Sequence, residues 1–182
     1  MQKPDLKTKP TTLLFDLETT PLDARKTEIH CIVLLDYETR ETWRYNDTGK
    51  GQPISRAVTY LMEADTIIGH NIIGFDIPVI KKLYPFFKPK GRIIDTLILS
   101  RLYHADMLNT DRNAQYKGMP TKLYGRHSLE SYGYRLGEYK GNFGETSDWL
   151  EWSQEMEDYC EQDVIVTNKL CQHFQPYLTG FN

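Results

Sequence analysis

The chain has 182 residues, 40% of them hydrophobic and 26% charged, with a net charge of −3. That is enough chain for one sizeable core, and the charge has the wrong sign for a protein that grips long duplex DNA through a basic face. No apolar run approaches the ~20 residues needed to cross a bilayer, so no membrane role is expected. The cysteines Cys31, Cys160 and Cys171 are widely spaced, suggest neither a zinc site nor a disulfide framework, and fit a reducing cytoplasm.

In chain order, residues 1–10 are charged, lack the apolar stretch of a signal peptide, and read as a flexible segment ahead of a single domain spanning 1–182. Thr11–Glu18 (TTLLFDLE) reads as a strand, an apolar run closed by acidic residues. Glu28–Asp36 and Glu41–Tyr45 read as two more strands joined by a turn near Glu38–Arg40. Pro53–Ala64 has the spacing of a short helix, and Asp65–His70 reads as a strand of β-branched residues. Asp76–Leu83 reads as a helix with Pro78 tolerated in its first turn. Arg92–Thr96 is a short strand that continues as helix over Leu97–Tyr103. Ala105–Tyr124, polar and punctuated by Gly118 and Pro120, reads as a long loop. Ser128–Leu136 reads as a helix with Ser128 as its N-cap, and Trp152–His173 as a long final helix. Three successive strands followed by alternating helix and strand predict an α/β domain with a mixed β-sheet flanked by helices, the ribonuclease H-like layout.

The carboxylates then need an explanation. Residues i and i+2 of a strand share a face, so Asp16 and Glu18 sit side by side at a strand end. Such neighbours repel unless a cation lies between them; alternatively they are two solvated acids. Asp76 opens a helix after a strand and turn, where it is either an N-cap or a metal ligand. Asn71, in the same turn, is either a turn residue or a substrate contact. Asp163 lies mid-helix beside an apolar run, where a carboxylate needs a partner, and Tyr159 is four residues earlier on the same face. Four carboxylates on three elements can converge at one sheet edge, and an oxygen-only ligand set suits Mg²⁺ or Mn²⁺. Two such ions about 3.5–4 Å apart meet the needs of phosphodiester hydrolysis.

The segments FDLETTPLD, GHNIIGFDIPVI and YCEQDVIV resemble, in order, the three motifs of DEDD-superfamily exonucleases. The Tyr159-to-Asp163 spacing matches the tyrosine branch; Asp158 stands where the histidine branch would place its His. Ile93–His104 and Gly125–Gly141 extend the resemblance to the 3′→5′ proofreading exonuclease domain of family A DNA polymerases of the phage replicative type.

The resemblance runs from about Thr12 to Leu170. It implies a metal-dependent 3′→5′ exodeoxyribonuclease that trims single-stranded or frayed DNA 3′ ends to nucleoside 5′-monophosphates with two divalent cations, Mg²⁺ or in its place Mn²⁺. It implies that Asp16 bridges both ions, that Glu18 and Asp163 complete one site, and that Asp76 holds the second. Tyr159 would orient the attacking water, and Thr19, Leu22 and Asn71 would contact substrate, Leu22 as a wedge. Asp95 would support the site, and His127 would be structural. The implied protein is a monomer in the cytoplasm, the host's if phage-encoded, and works with a DNA polymerase, fused or in trans; the long polar Ala105–Tyr124 segment and the aromatic run between Tyr132 and Trp152 would be free for such contacts, unless Trp149 and Trp152 pack under the last helix. A chain of 182 residues is too short for the polymerase itself, which leaves a free-standing exonuclease and a domain of a longer protein both open. An RNA-trimming exonuclease and a silent polymerase-docking module are the rival readings.

Overall fold

The computed structural model describes residues 11–21, 26–49, 51–138 and 149–179. Five strands form one sheet: β1 (Thr12–Thr19), β2 (Ile29–Asp36), β3 (Thr42–Tyr45), β4 (Thr66–Gly69) and β5 (Arg92–Asp95). Their order is β3-β2-β1-β4-β5. The pairs β1–β2 and β2–β3 are antiparallel, while β1–β4 and β4–β5 are parallel. The mixed sheet is the one expected, with β1 at its centre.

Six α-helices occur among the described residues: α1 (Ile54–Glu63), α2 (Asp76–Leu83), α3 (Thr96–Tyr103), α4 (Met107–Ala114), α5 (Leu129–Leu136) and α6 (Gln154–Thr179). The alternation of β1 divides them. Leu13, Phe15 and Leu17 pack into a core with Ala57, Val58 and Leu61 of α1 and Ile77 and Ile80 of α2. Leu14, one residue out of phase, packs on the other face with Cys160, Val164 and Cys171 of α6. A period of two along the strand thus sends Asp16 and Glu18 toward α6. A third cluster joins Met107 of α4, Leu129 and Tyr132 of α5, and Val166, Leu170 and Phe174 of α6.

Two local rules shape the approach to α2. Gly69 ends β4 where a Cβ would come within 2.2 Å of Ile72 Cγ2 and 2.9 Å of the Phe15 carbonyl, so a side chain there has no room. Asn71 adopts φ of 62°, a left-handed conformation that Asn tolerates better than most residues, and its carbonyl accepts from the Gly74 and Phe75 amides. Ser128 caps α5, as its position predicts, by accepting from the Ser131 amide.

The segment Ala105–Tyr124 is not a loop. It contains α4 and a short 3₁₀ turn over Thr121–Leu123. Polar composition masked this helix, because the stabilising contact is ionic and long-range. Asp111 is fully buried, accepts two hydrogen bonds from Arg135 at 2.8 and 2.7 Å, and accepts a third from the Gly125 amide. Arg135 and these donors hold the Asp111 carboxyl below its ordinary range although burial opposes that. Removing one partner of a buried ion pair strands the other charge. Asp111→Ala is therefore expected to lower unfolding stability by about 3–5 kcal/mol in chemical denaturation, and Asp111→Leu with Arg135→Met together by much less.

Candidate active site

Asp16 and Glu18 stand half-buried at the C-terminal end of β1. On α6, Tyr159, Cys160 and Asp163 fall within one turn, so helical spacing presents them to the same strand end. Asp76 is the first residue of α2; the N-cap position belongs to Phe75. Asp76 therefore faces the positive end of the helix without serving as its cap. A cleft of about 660 Å³ is lined by Asp16, Glu18, Asp76, Tyr159 and Asp163, together with Asn71. Four carboxylates from three elements meet as the spacing predicts.

Burial sets the electrostatics. Asp76 and Asp163 are only 3% and 7% exposed. Burial, opposed by the backbone N–H groups of Asp76 and Leu17 and reinforced by the charges of Asp95 and Asp163, raises the Asp76 carboxyl from its ordinary 3.8 to about 7. Asp76 Oδ1 is buried and has no hydrogen-bond partner among the described residues. The Cys160 thiol donates to Asp16 Oδ2 at 3.7 Å, and burial pushes its pKa up, so it stays protonated. One donor atom each from Asp16, Glu18 and Cys160 lies within 4.8 Å of the other two.

Asp95 supports the site. Its carboxylate accepts from the amides of Asn71 and Leu97, both at 2.9 Å, and of Ile73 at 3.0 Å, which pins the turn leading into α2. Asn71 is both turn former and exposed cleft residue. Thr19 is buried, its hydroxyl donates to the Thr20 carbonyl, and it is not among the cleft-lining residues. Leu22 lies outside the described residues.

Several lining residues carried no signal in the sequence reading: His70, Phe75, Arg101 and Arg126. The His70 ring bonds through Nδ1 to the Thr96 hydroxyl at 2.9 Å, and that hydroxyl donates to the Gly69 carbonyl. His127 bonds to Ser100 Oγ, the structural role expected of it, yet its ring also lines the cleft. Trp149 stands edge-on to Tyr159, with ring centroids 6.2 Å apart. Cys160, which adjoins Tyr159 on α6, is fully buried in the core rather than in the cleft wall.

A family model described as RNase H superfamily matches residues 13–175. The chain belongs to the RNase H superfamily. It is 34% identical to the DNA-directed DNA polymerase of Escherichia phage T7, over 88% of this chain and 26% of that protein. The chain thus spans about a quarter of the length of the curated relatives it matches. Among solved structures, Brucella melitensis NrnC bound to pGG matches with a TM-score of 0.62 and 18% identity, covering 92% of this chain and 73% of that one. The same protein is also known with bound Mg²⁺. The zinc-bound Escherichia coli ExoI–ssDNA complex matches with a TM-score of 0.57 and 16% identity, over 93% of this chain and 42% of that one. At these identities the structural likeness is one of RNase H-like fold.

The position of Asp76 makes a prediction about pH. A carboxyl whose folded pKa lies above its unfolded one contributes stability that is fully present at low pH and is lost as pH rises through the folded value. Without divalent cations, the apparent melting temperature should fall as pH rises from about 4 through about 7. Asp76→Asn, neutral throughout, should flatten that fall in a thermal-shift series, and added Mg²⁺ should stabilise the native protein more at high pH than at low pH.

Proposed function

We propose that this chain is a 3′→5′ exonuclease that hydrolyses the terminal phosphodiester of single-stranded or frayed DNA and releases nucleoside 5′-monophosphates. The observation that carries the reading is the convergence of Asp16, Glu18, Asp76 and Asp163 on one cleft with Tyr159 in its wall. An oxygen-rich donor set fits hard divalent cations, and the unbonded, buried Oδ1 of Asp76 fits a ligand still to be engaged. Asp16 would bridge two ions, Mg²⁺ or in its place Mn²⁺; Glu18 and Asp163 would complete one site and Asp76 the other. Bound there, the ions supply the positive charge that activates a water and stabilises the leaving oxygen.

The protein's own groups do the rest. The Tyr159 hydroxyl orients the water for attack, and Trp149 fixes the ring that carries it. Asp95 keeps the Asn71 turn rigid, so that Asn71 meets the substrate strand at a fixed distance. Arg101 and Arg126, both exposed on the cleft, pair with strand phosphates. Thr19 has committed its hydroxyl, which leaves its backbone for contact with the terminal nucleotide. Leu22 is assigned its wedge role on the resemblance alone.

We also place this activity beside a DNA polymerase, fused or in trans, in the cytoplasm, the host's if phage-encoded, with the chain itself monomeric. The support is the 34% identity to a phage DNA polymerase. The described residues contain no helix long and apolar enough to cross a membrane. The Ala105–Tyr124 segment lends this pairing no support, because Asp111 and Arg135 tie it into the fold. Of the aromatic run between Tyr132 and Trp152, residues 139–148 lie outside the described residues. Trp152 packs against the core beside α6, and Trp149 serves the cleft.

The deciding experiment is incubation with 5′-labelled single-stranded DNA, with and without Mg²⁺, beside an RNA oligonucleotide of the same sequence. Stepwise shortening from the 3′ end that requires Mg²⁺ is expected, faster on DNA. Asp16→Ala should abolish it while leaving the far-ultraviolet circular dichroism unchanged; robust Mg²⁺-dependent activity in that variant would remove Asp16 from the site. Tyr159→Phe should bind metal as before and slow the single-turnover rate by about 10–10⁴-fold, the range of positioning and proton-transfer roles. An unchanged rate would remove the hydroxyl from the mechanism.

A further inference from the structure

The proposed hydrolysis leaves His127 without a task, although its ring lines the cleft together with Arg101 and Arg126. Behind the ring lies a buried pair of hydroxyls. Ser100 Oγ stands 2.5 Å from His127 Nδ1 and also bonds to the Tyr132 hydroxyl. Ser100 is fully buried on α3, and Tyr132 is buried on α5. No other hydrogen bond engages the His127 ring among the described residues.

The protons on these groups have one arrangement that leaves none stranded. Burial raises the Tyr132 pKa, so the phenol keeps its proton. Ser100 Oγ is the one hydrogen-bond partner of that phenol among the described residues, and a buried O–H without an acceptor forfeits its hydration for nothing. The phenol therefore donates to Ser100 Oγ, and Ser100 turns its own proton to His127 Nδ1. With Nδ1 as acceptor, the proton of the neutral ring sits on Nε2. A charged ring would have to donate from Nδ1 to Ser100. That would turn the Ser100 proton onto the phenol oxygen and leave the buried phenol proton without an acceptor. Burial and the charges of Arg135 and Arg101, opposed by Asp111, act in the same direction and hold the His127 pKa below its ordinary value.

We infer that Tyr132 and Ser100 fix His127 as a neutral Nε2–H donor, and that this N–H binds a non-bridging phosphate oxygen of the strand held in the cleft. His127 is then a substrate-binding residue, and Ser100 and Tyr132 are positioning residues that act through it. The acceptor is a phosphate because Arg101 and Arg126 line the same cleft and draw anions to it. The two guanidinium groups supply charge; the ring supplies a donor of fixed direction.

The inference rests on the proposed exonuclease reading, and its test separates the two. Long-range proton–nitrogen NMR spectra of the imidazole rings, with His127 assigned by its missing signal in His127→Gln, should show the Nε2–H tautomer in the native protein at neutral pH. Ser100→Ala should mix the tautomers. Tyr132→Phe, which frees Ser100 to accept, should do the same and serves where Ser100→Ala fails to fold. Deoxythymidine 5′-monophosphate added with Mg²⁺ should shift the Nε2–H signal. In Mg²⁺-dependent shortening of single-stranded DNA, His127→Ala should raise KM about 10–100-fold and leave kcat near its native value, the pattern of a lost hydrogen bond to a charged group in the bound state. His127→Gln, whose amide can donate in place of Nε2–H, should recover part of that loss. A native ring protonated on Nδ1, or on both nitrogens, overturns the inference. So does an unchanged KM in His127→Ala, or a fall in kcat alone, and native shortening then leaves the exonuclease reading standing. If the native protein shortens no DNA, the exonuclease reading falls and the nucleotide titration decides: a shifted Nε2–H signal keeps the phosphate contact, and an unmoved one overturns it.

Discussion

Crowded negative charge at the end of the central strand is the constraint on which this structure turns. Two like charges about 4 Å apart repel by roughly 4 kcal/mol at the effective dielectric of a protein surface. Asp16, Glu18, Asp76 and Asp163 share one cleft, and Asp95 stands just behind it. The fold answers each charge separately. Asp95 is saturated by three backbone amides, Asp16 accepts the Cys160 thiol, and Asp76 keeps its proton to about neutral pH. A protein with no use for these groups would gain by replacing them with apolar residues of similar size. The proposed cation site gives these buried acids a use.

That cluster is assembled by parity and phase. Central β1 is apolar on both faces until its last turn, so the same strand nails down two cores before it delivers two acids. The helix α6 crosses one face and supplies Tyr159, Cys160 and Asp163 from a single turn. The turn between β4 and α2 closes the third side. Its glycine admits no side chain and its asparagine takes a left-handed conformation, which together swing Asp76 toward β1.

What could be read from the sequence follows from this division. Strands and most helices follow fixed periods, and alternation along Thr11–Glu18 pairs Asp16 with Glu18 while the Tyr159-to-Asp163 interval puts those two on one helix face; Asp76 has only its place at a helix start, and the resemblance of the three motifs is what joins the four acids. The helix α4 escaped because its sequence, MLNTDRNA, is polar and its stability comes from Arg135, 24 residues distant from Asp111. The cleft's histidines and arginines escaped for the same reason. Arg101, Arg126 and His127 sit on elements that carry no acid of the cluster, and only tertiary packing aims them at it. Thr19 shows the converse: adjacency in sequence to Glu18 did not bring its hydroxyl into the cleft, since strand alternation sets residue 19 out of phase with Asp16 and Glu18 and the hydroxyl donates to the Thr20 carbonyl.

The net charge of −3 can now be weighed against the local field. Acidic groups form the floor of the cleft, and Arg101 and Arg126 with the rings of His70 and His127 stand around it. Phosphates approaching a bare acidic floor would be repelled, so the overall sign of the chain gives no affinity for nucleic acid by itself. In the proposed function the guanidinium groups would pair with phosphate oxygens at a distance from the floor, while cations held by the carboxylates would reverse the sign beneath them. Such a division would suit the proposed substrate, a strand held over a few nucleotides. On the proposed function no basic face of the kind duplex binding demands is needed, because the ions would bring the charge required at the reacting phosphate rather than the chain itself.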